Sequence, residues 1–181
     1  MCWGLGHGKY GRKFREDSFK PLDEYIDSWL DSSNQNHISI LGDYGSGKTW
    51  FCQRYAAKQA KKYLADPERN RIPILISLRK FTKTLKIEPL ITDALVNTYG
   101  LQLGGGFATF QHFNRYGKLL VIFDGFDEME SKVDQIVTVQ NFEELAKAVA
   151  PDGKSKVILT CRTPYFQSNL QEISLLMGDA V

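Results

Sequence analysis

No stretch of this chain approaches the roughly 20 consecutive apolar residues that a membrane-crossing helix needs, so no membrane partner is expected. The first residues, Met1-Cys2-Trp3-Gly4-Leu5-Gly6, lack the apolar core of a signal peptide. Cysteine is scarce. Cys2, Cys52 and Cys161 are odd in number and far apart, which fits neither a disulfide frame nor a zinc site, and His7, His37 and His112 are equally scattered. The expectation is a reduced, cytoplasmic protein without a structural metal. A surplus of one charge is missing too: 23 Lys and Arg against 21 Asp and Glu leave +2. Dedicated nucleic-acid binders carry a larger positive excess, so nucleic acid is not indicated as a partner. Internal repeats and low-complexity tracts are also lacking.

What is present is an ordinary globular balance, 43% apolar and 24% charged over 181 residues, enough for one domain with a buried core. Residues 1–17 read as a flexible, basic, Gly-rich lead-in and residues 18–181 as the folded part. Gly6-His7-Gly8-Lys9-Tyr10-Gly11 matches the G-x-G-x-x-G dinucleotide pattern. It lacks the preceding strand and following helix that give the pattern meaning, and is read as chance.

From Pro21 the apolar residues Leu22, Tyr25, Ile26, Trp29 and Leu30 recur at helical spacing, and the polar run Ser32–Asn36 ends that helix. Ile38–Leu41 reads as a strand. A helix over Lys48 to about Leu64 follows, with Phe51, Tyr55, Ala56, Ala60 and Tyr63 on its inner side and Asp66-Pro67 at its end. Ile72–Leu78 is nearly all apolar and is expected to be a strand buried on both faces, with Pro73 tolerated near its start. Helices are expected over about Glu88–Tyr99 and Phe107–Tyr116, divided by Gly104-Gly105-Gly106. Leu119–Phe123 is a third strand, a helix spans about Asn141–Val149, and Lys156–Thr160 is the fourth strand. Alternation of this kind gives an α/β sandwich with a mostly parallel sheet. Ligands gather at the carboxyl ends of such strands, and three polar clusters fall at three strand ends.

The first cluster, Gly42-Asp43-Tyr44-Gly45-Ser46-Gly47-Lys48-Thr49, follows the strand–GxxxxGK[ST]–helix pattern of a phosphate-binding loop. Gly45 and Gly47 let the loop curl so that backbone N–H groups face phosphate oxygens, and the helix opening at Lys48 adds its positive end. Lys48 is expected at the β- and γ-phosphates and the Thr49 hydroxyl on Mg²⁺, with Trp50 next in the nucleotide-contact set. The second cluster, Asp124-Gly125-Phe126-Asp127-Glu128, puts a carboxylate at a strand tip, where Asp124 is placed to hold Mg²⁺. Either Asp127 or Glu128 would polarise the attacking water. The third, Thr160-Cys161-Arg162-Thr163, offers Arg162, whose rigid fork suits contact with a γ-phosphate. Cys161 reads as a small buried residue.

The first loop, followed by Leu120-Val121-Ile122-Phe123-Asp124-Gly125-Phe126-Asp127-Glu128, resembles the NACHT family of signal-transducing ATPases, of the STAND class. Leu159-Thr160-Cys161-Arg162-Thr163-Pro164 is similar to that family's sensor 1 segment, and the helix from Pro21 to Leu30 sits where NACHT proteins carry a helix beside the nucleotide. The resemblance spans roughly Phe19 to Leu170. It implies a three-layer P-loop NTPase sandwich that binds ATP or ADP with Mg²⁺. It also implies a switch: an ADP-bound closed form exchanges to ATP, self-associates through NACHT domains in the full-length protein, and resets by slow hydrolysis. Sensor and effector domains would lie outside this chain, in a protein of innate immunity, anti-phage defence or bacterial signalling. The chain departs from the family in one way. Nothing after Ser168 reads as a fifth strand, and the helical and winged-helix lid is missing, so the sheet is expected to be incomplete at its C-terminus.

Three other readings share the phosphate loop. A signalling GTPase would need an Asn-Lys-x-Asp segment, which the sequence lacks. A P-loop kinase would add a basic lid and an acceptor pocket. An interaction scaffold would bind nucleotide without hydrolysing it.

Overall fold

Apolar runs pair in parallel, side by side, when helices return the chain to the same edge of the sheet. In the computed structural model four such runs do so, as β2 (His37–Leu41), β3 (Ile72–Ser77), β4 (Leu119–Asp124) and β5 (Lys156–Cys161). The structure describes residues 4–6, 21–31, 35–81, 85–130, 135–149 and 154–162. The sheet order is β1-β2-β5-β4-β3, with β2, β5, β4 and β3 all parallel. The remaining strand, β1 (Gly4–Gly6), lies antiparallel on β2 and comes from the segment read as a flexible lead-in. A strand therefore does precede the G-x-G-x-x-G match, whose residues after Gly6 lie outside the described ones.

The helices are α1 (Leu22–Leu30), α2 (Lys48–Ala65), α3 (Ile87–Asp93), α4 (Gly106–Arg115), α5 (Phe126–Glu130) and α6 (Gln135–Ala146). A π-helical turn over Ala94–Thr98 continues α3. The central strands alternate side chains between two cores. Leu120, Ile122 and Ile158 face a layer formed by α1 and α2, where Ile26, Trp29, Phe51, Cys52 and Tyr55 are buried. Val121, Phe123, Val157 and Leu159 face the opposite layer, with buried residues of α3, α4, α5 and α6. This is the expected three-layer α/β sandwich of a P-loop NTPase.

The expectation that β3 is buried on both faces does not hold. Ile74 and Ile76 are buried, but Pro73 and Leu75 are only half covered, because β3 is the edge strand of the described sheet. The edge is blunted locally: the Tyr99 hydroxyl accepts from Leu75 N at 2.7 Å and donates to Leu75 O at 2.9 Å. Pro73 shares that outward side by strand alternation, so its missing N–H costs no ladder bond. The inner side of α2 also differs, since Cys52 and Gln59 are buried while Ala56, Ala60 and Tyr63 are half-buried.

Gln59 is accounted for by a polar clasp to α1. Asp27 accepts from Tyr55 Oη at 2.7 Å, Gln59 Nε2 at 2.8 Å, Lys58 Nζ at 2.9 Å and Lys62 Nζ at 3.0 Å. Partial burial opposes ionisation of Asp27, but these donors outweigh it and hold its pKa down to about 2. The helix expected from Asn141 begins earlier, at Gln135. Its Asn141 and Glu144 side chains accept from Leu85 N at 2.5 Å and Ile87 N at 3.2 Å, which fixes the start of α3.

Register brings the functional ends together. Leu41 pairs with Cys161, and Ser77 pairs with Asp124. The segments that follow β2, β3, β4 and β5 therefore emerge along one rim.

Candidate functional site

The phosphate loop leaves β2 and turns at Gly45 and Gly47, whose φ values are 74° and 86°. A Cβ at either would meet no protein atom within 4 Å, so the left-handed backbone, not crowding by neighbouring protein atoms, is what requires glycine. Gly47 caps α2 without a side-chain bond, and no acidic residue lies in the helix's first turn. The positive end of α2 therefore faces the loop unscreened. Ser46 Oγ is buried with no hydrogen-bond partner in the protein. Lys48 folds over the loop and donates from Nζ to Gly42 O at 2.6 Å and Asp43 O at 3.2 Å.

Asp124 ends β4 and is 3% exposed. Thr49 Oγ1 donates to its Oδ2 at 2.8 Å, which links the phosphate loop to the tip of β4. Thr160 Oγ1, from the strand between them, donates to Oδ1 at 2.8 Å and accepts from Gly125 N at 2.9 Å. Both carboxylate oxygens are thus held. Beyond Gly125 the chain enters α5, a helix absent from the sequence-based expectation. Phe126 and Met129 are buried and anchor it.

The two later acids diverge from there. Asp127 is 3% exposed and accepts from Arg162 Nε at 2.6 Å, while its Oδ1 is buried without a partner. The Glu128 side chain is 40% exposed and lies 3.0 Å from Arg79 Nη2. Arg79 also donates to Thr49 Oγ1 and lies 3.8 Å from Asp124 Oδ2. At the mouth of the site Tyr44 is 88% exposed and Trp50 65% exposed, the latter under the Arg54 guanidinium at 5.3 Å. Cys52, one turn along α2 from Lys48, is inert: burial and the charge of Asp124 push its thiol pKa far up.

Residues 36–175 match the NACHT domain family. The chain belongs to the NACHT family. It is therefore a nucleotide-binding NTPase domain. Over 162 residues it is 45% identical to an uncharacterized WD repeat-containing protein of Nostoc sp. (strain PCC 7120). That similarity covers 87% of this chain and 10% of the relative, so the chain spans about a tenth of the curated protein it matches. Among the described residues no helix is long and apolar enough to cross a membrane.

Nucleotide and Mg²⁺ both fit the groups this NACHT domain presents. Mg²⁺ takes few protein oxygens and leaves the rest of its shell to water and phosphate. Thr49 Oγ1 and Asp124 Oδ2 are such oxygens, and among the described residues no cluster of three or more His, Cys, Asp or Glu side chains competes with them. For the phosphates there are the Lys48 amine, the free helix end and the orphaned Ser46 hydroxyl.

The sequence reading anticipated Lys48, Thr49, Asp124, Asp127, Glu128 and Arg162 near one another, and they do surround one rim. It missed Arg79 and gave Thr160 no role. A signal for Arg79 existed: it directly follows the apolar run Ile72–Leu78, at the carboxyl end of the remaining parallel strand. Thr163 and Pro164 of the sensor 1 segment, and the region after Ser168, lie outside the described residues.

Proposed function

We propose that this NACHT domain binds ATP and ADP with Mg²⁺ and acts as a nucleotide-dependent oligomerisation switch in a larger defence or signalling protein, with slow hydrolysis as the reset. The observation that carries this reading is the 2.8 Å bond from Thr49 Oγ1 to Asp124 Oδ2, which gathers a metal-binding pair at the tip of the phosphate loop. In this reading residues 18–181 are the nucleotide-binding core, Lys48 neutralises the β- and γ-phosphates, and Gly42 to Trp50 line the nucleotide. When bound, Mg²⁺ supplies charge neutralisation on the phosphate oxygens. Glu128 takes the water-polarising role, because its side chain is exposed at the rim whereas Asp127 is buried against Arg162. Arg162 reports the γ-phosphate. The WD repeats named in the Nostoc relative suit a sensing region outside this segment, in a cytoplasmic protein.

The test combines binding with assembly. Lys48→Ala should abolish nucleotide affinity, Asp124→Asn should abolish phosphate release, and the measured mass should rise with ATP relative to ADP. Tighter binding of GTP than ATP, or unchanged turnover in Asp124→Asn, sinks the reading. One observation favours a non-hydrolysing scaffold instead: both candidate acids are ion-paired, Asp127 with Arg162 and Glu128 with Arg79. No phosphate release at saturating Mg-ATP, with binding intact, would select that alternative.

A further inference from the structure

Arg79 serves none of the roles assigned so far. It sits in the 3₁₀ turn Leu78–Lys80 that follows β3, and its side chain crosses from the edge of the sheet to the tip of β4. Gly125 opens that path. A Cβ there would stand 3.1 Å from Arg79 Cγ and 3.4 Å from Nε, and the glycine's φ of +85° is itself one that larger residues avoid. The glycine after Asp124 thus admits an arginine from the turn that follows β3.

The guanidinium ends on three groups of the site: it donates to Thr49 Oγ1, lies 3.8 Å from Asp124 Oδ2 and 3.0 Å from Glu128 Oε1. Resting on the nucleotide and magnesium reading above, we propose that Arg79 is a built-in competitor of the divalent ion, a positioning residue that addresses the same two oxygens and sets how much Mg²⁺ nucleotide binding requires. Thr49 Oγ1 and Asp124 Oδ2 are the protein oxygens assigned to the ion, and Nη2 approaches both. Two cations cannot share them without repulsion. A guanidinium does not lose its proton in proteins, so Arg79 yields by moving, not by neutralising. Metal-free nucleotide meanwhile keeps Arg79, in addition to Lys48, near its phosphates.

The experiment titrates Mg²⁺ into the 181-residue chain with limiting methylanthraniloyl-ADP and follows its fluorescence. Wild type, Arg79→Met and Arg79→Lys are compared, with an EDTA arm for each. Loss of the charge in Arg79→Met should lower the half-saturating Mg²⁺ concentration by about tenfold and weaken binding in EDTA. Arg79→Lys keeps a cation and should stay close to wild type in both arms. An unchanged Mg²⁺ midpoint in Arg79→Met, with wild type binding normally, overturns the competition and leaves the nucleotide reading intact. Equal shifts in the Met and Lys variants also overturn it, because a purely structural role would not distinguish the charge. Wild type that binds no analogue at any Mg²⁺ concentration overturns both.

Discussion

Replacing Thr160 with valine would test how Asp124 is held. Thr160 is fully buried on β5, donates to Asp124 Oδ1 at 2.8 Å and accepts from Gly125 N at 2.9 Å. Valine keeps the volume and β-branching but lacks the hydroxyl, so Thr160→Val isolates the two bonds. A hydrogen bond to a charged group is worth about 1.5–3 kcal/mol, and an orphaned buried N–H costs about 1–3 kcal/mol. Partial relaxation and the gain from an apolar methyl reduce the sum, which leaves a loss of about 2–4 kcal/mol. For a domain of this size that is a fall in Tm of roughly 10 °C. Thr160→Ser, which keeps the hydroxyl, should lose only about 1 kcal/mol.

Urea unfolding of the three proteins at pH 7 measures the difference directly. The same substitution should weaken Mg-ADP binding, since an Asp124 carboxylate held by Thr49 alone is free to rotate away from the proposed metal position. The reasoning fails if Thr160→Val and Thr160→Ser are equally stable, or if Thr160→Val loses less than about 1 kcal/mol.

The clasp between α1 and α2 predicts acid sensitivity. The drop in the Asp27 pKa from 3.8 to about 2 corresponds to at most about 2 kcal/mol, and access of solvent to a side chain 29% exposed reduces that to about 1 kcal/mol. Because the folded pKa is depressed, the contribution is present above about pH 4 and is lost as pH falls through 2. Wild type should therefore exceed Asp27→Asn in stability at pH 7 and converge with it near pH 2, whereas a gap independent of pH contradicts the argument. Lys156 predicts the opposite end of the scale: burial, aided by the charge of Arg71 and opposed by Asp31, lowers its pKa from 10.5 to about 8. The folded state releases its proton first, so wild type should gain stability relative to Lys156→Met between pH 8 and 10.5, and a flat difference refutes this. Finally, Asp127→Asn should weaken ATP more than ADP, as Arg162→Ala should, if Asp127 orients Arg162. Loss of turnover with an unchanged ATP-to-ADP affinity ratio would instead make Asp127 the base.

The parts of the site legible in the sequence were those carried by contiguous residues. The phosphate loop, the acid at the end of β4 and the arginine after β5 each declare themselves within a few positions of an apolar strand. What stayed hidden depends on register. Nothing local says that β5 lies between β2 and β4, and only that order puts Thr160 between the loop and Asp124. Arg79 was legible only as a cation after a strand, since its contacts follow from Ser77 pairing with Asp124 and from the open path over Gly125. Asp27 drew no expectation from the sequence. Its role depends on Tyr55, Lys58, Gln59 and Lys62, which lie on another helix about 30 positions away.

The division of labour among the three acids follows from one local event, the start of α5 at Phe126. Asp124 is still on the strand and points along the rim, where two threonine hydroxyls reach it. Successive residues of a helix are rotated by about 100°, so Asp127 and Glu128 cannot face the same wall. Burial of Phe126 and Met129 fixes the rotation of that short helix. Asp127 is thereby turned into the protein against Arg162, and Glu128 toward Arg79 and solvent. Removing Arg162 from Asp127 would leave a buried carboxylate without its cation, a cost of about 3–5 kcal/mol. A γ-phosphate that engages Arg162 therefore does so most cheaply through the terminal nitrogens of the guanidinium, with Nε still on Asp127. On the proposed reading, the acid next to Glu128 in sequence serves the sensor, and Glu128 serves the chemistry at the phosphate.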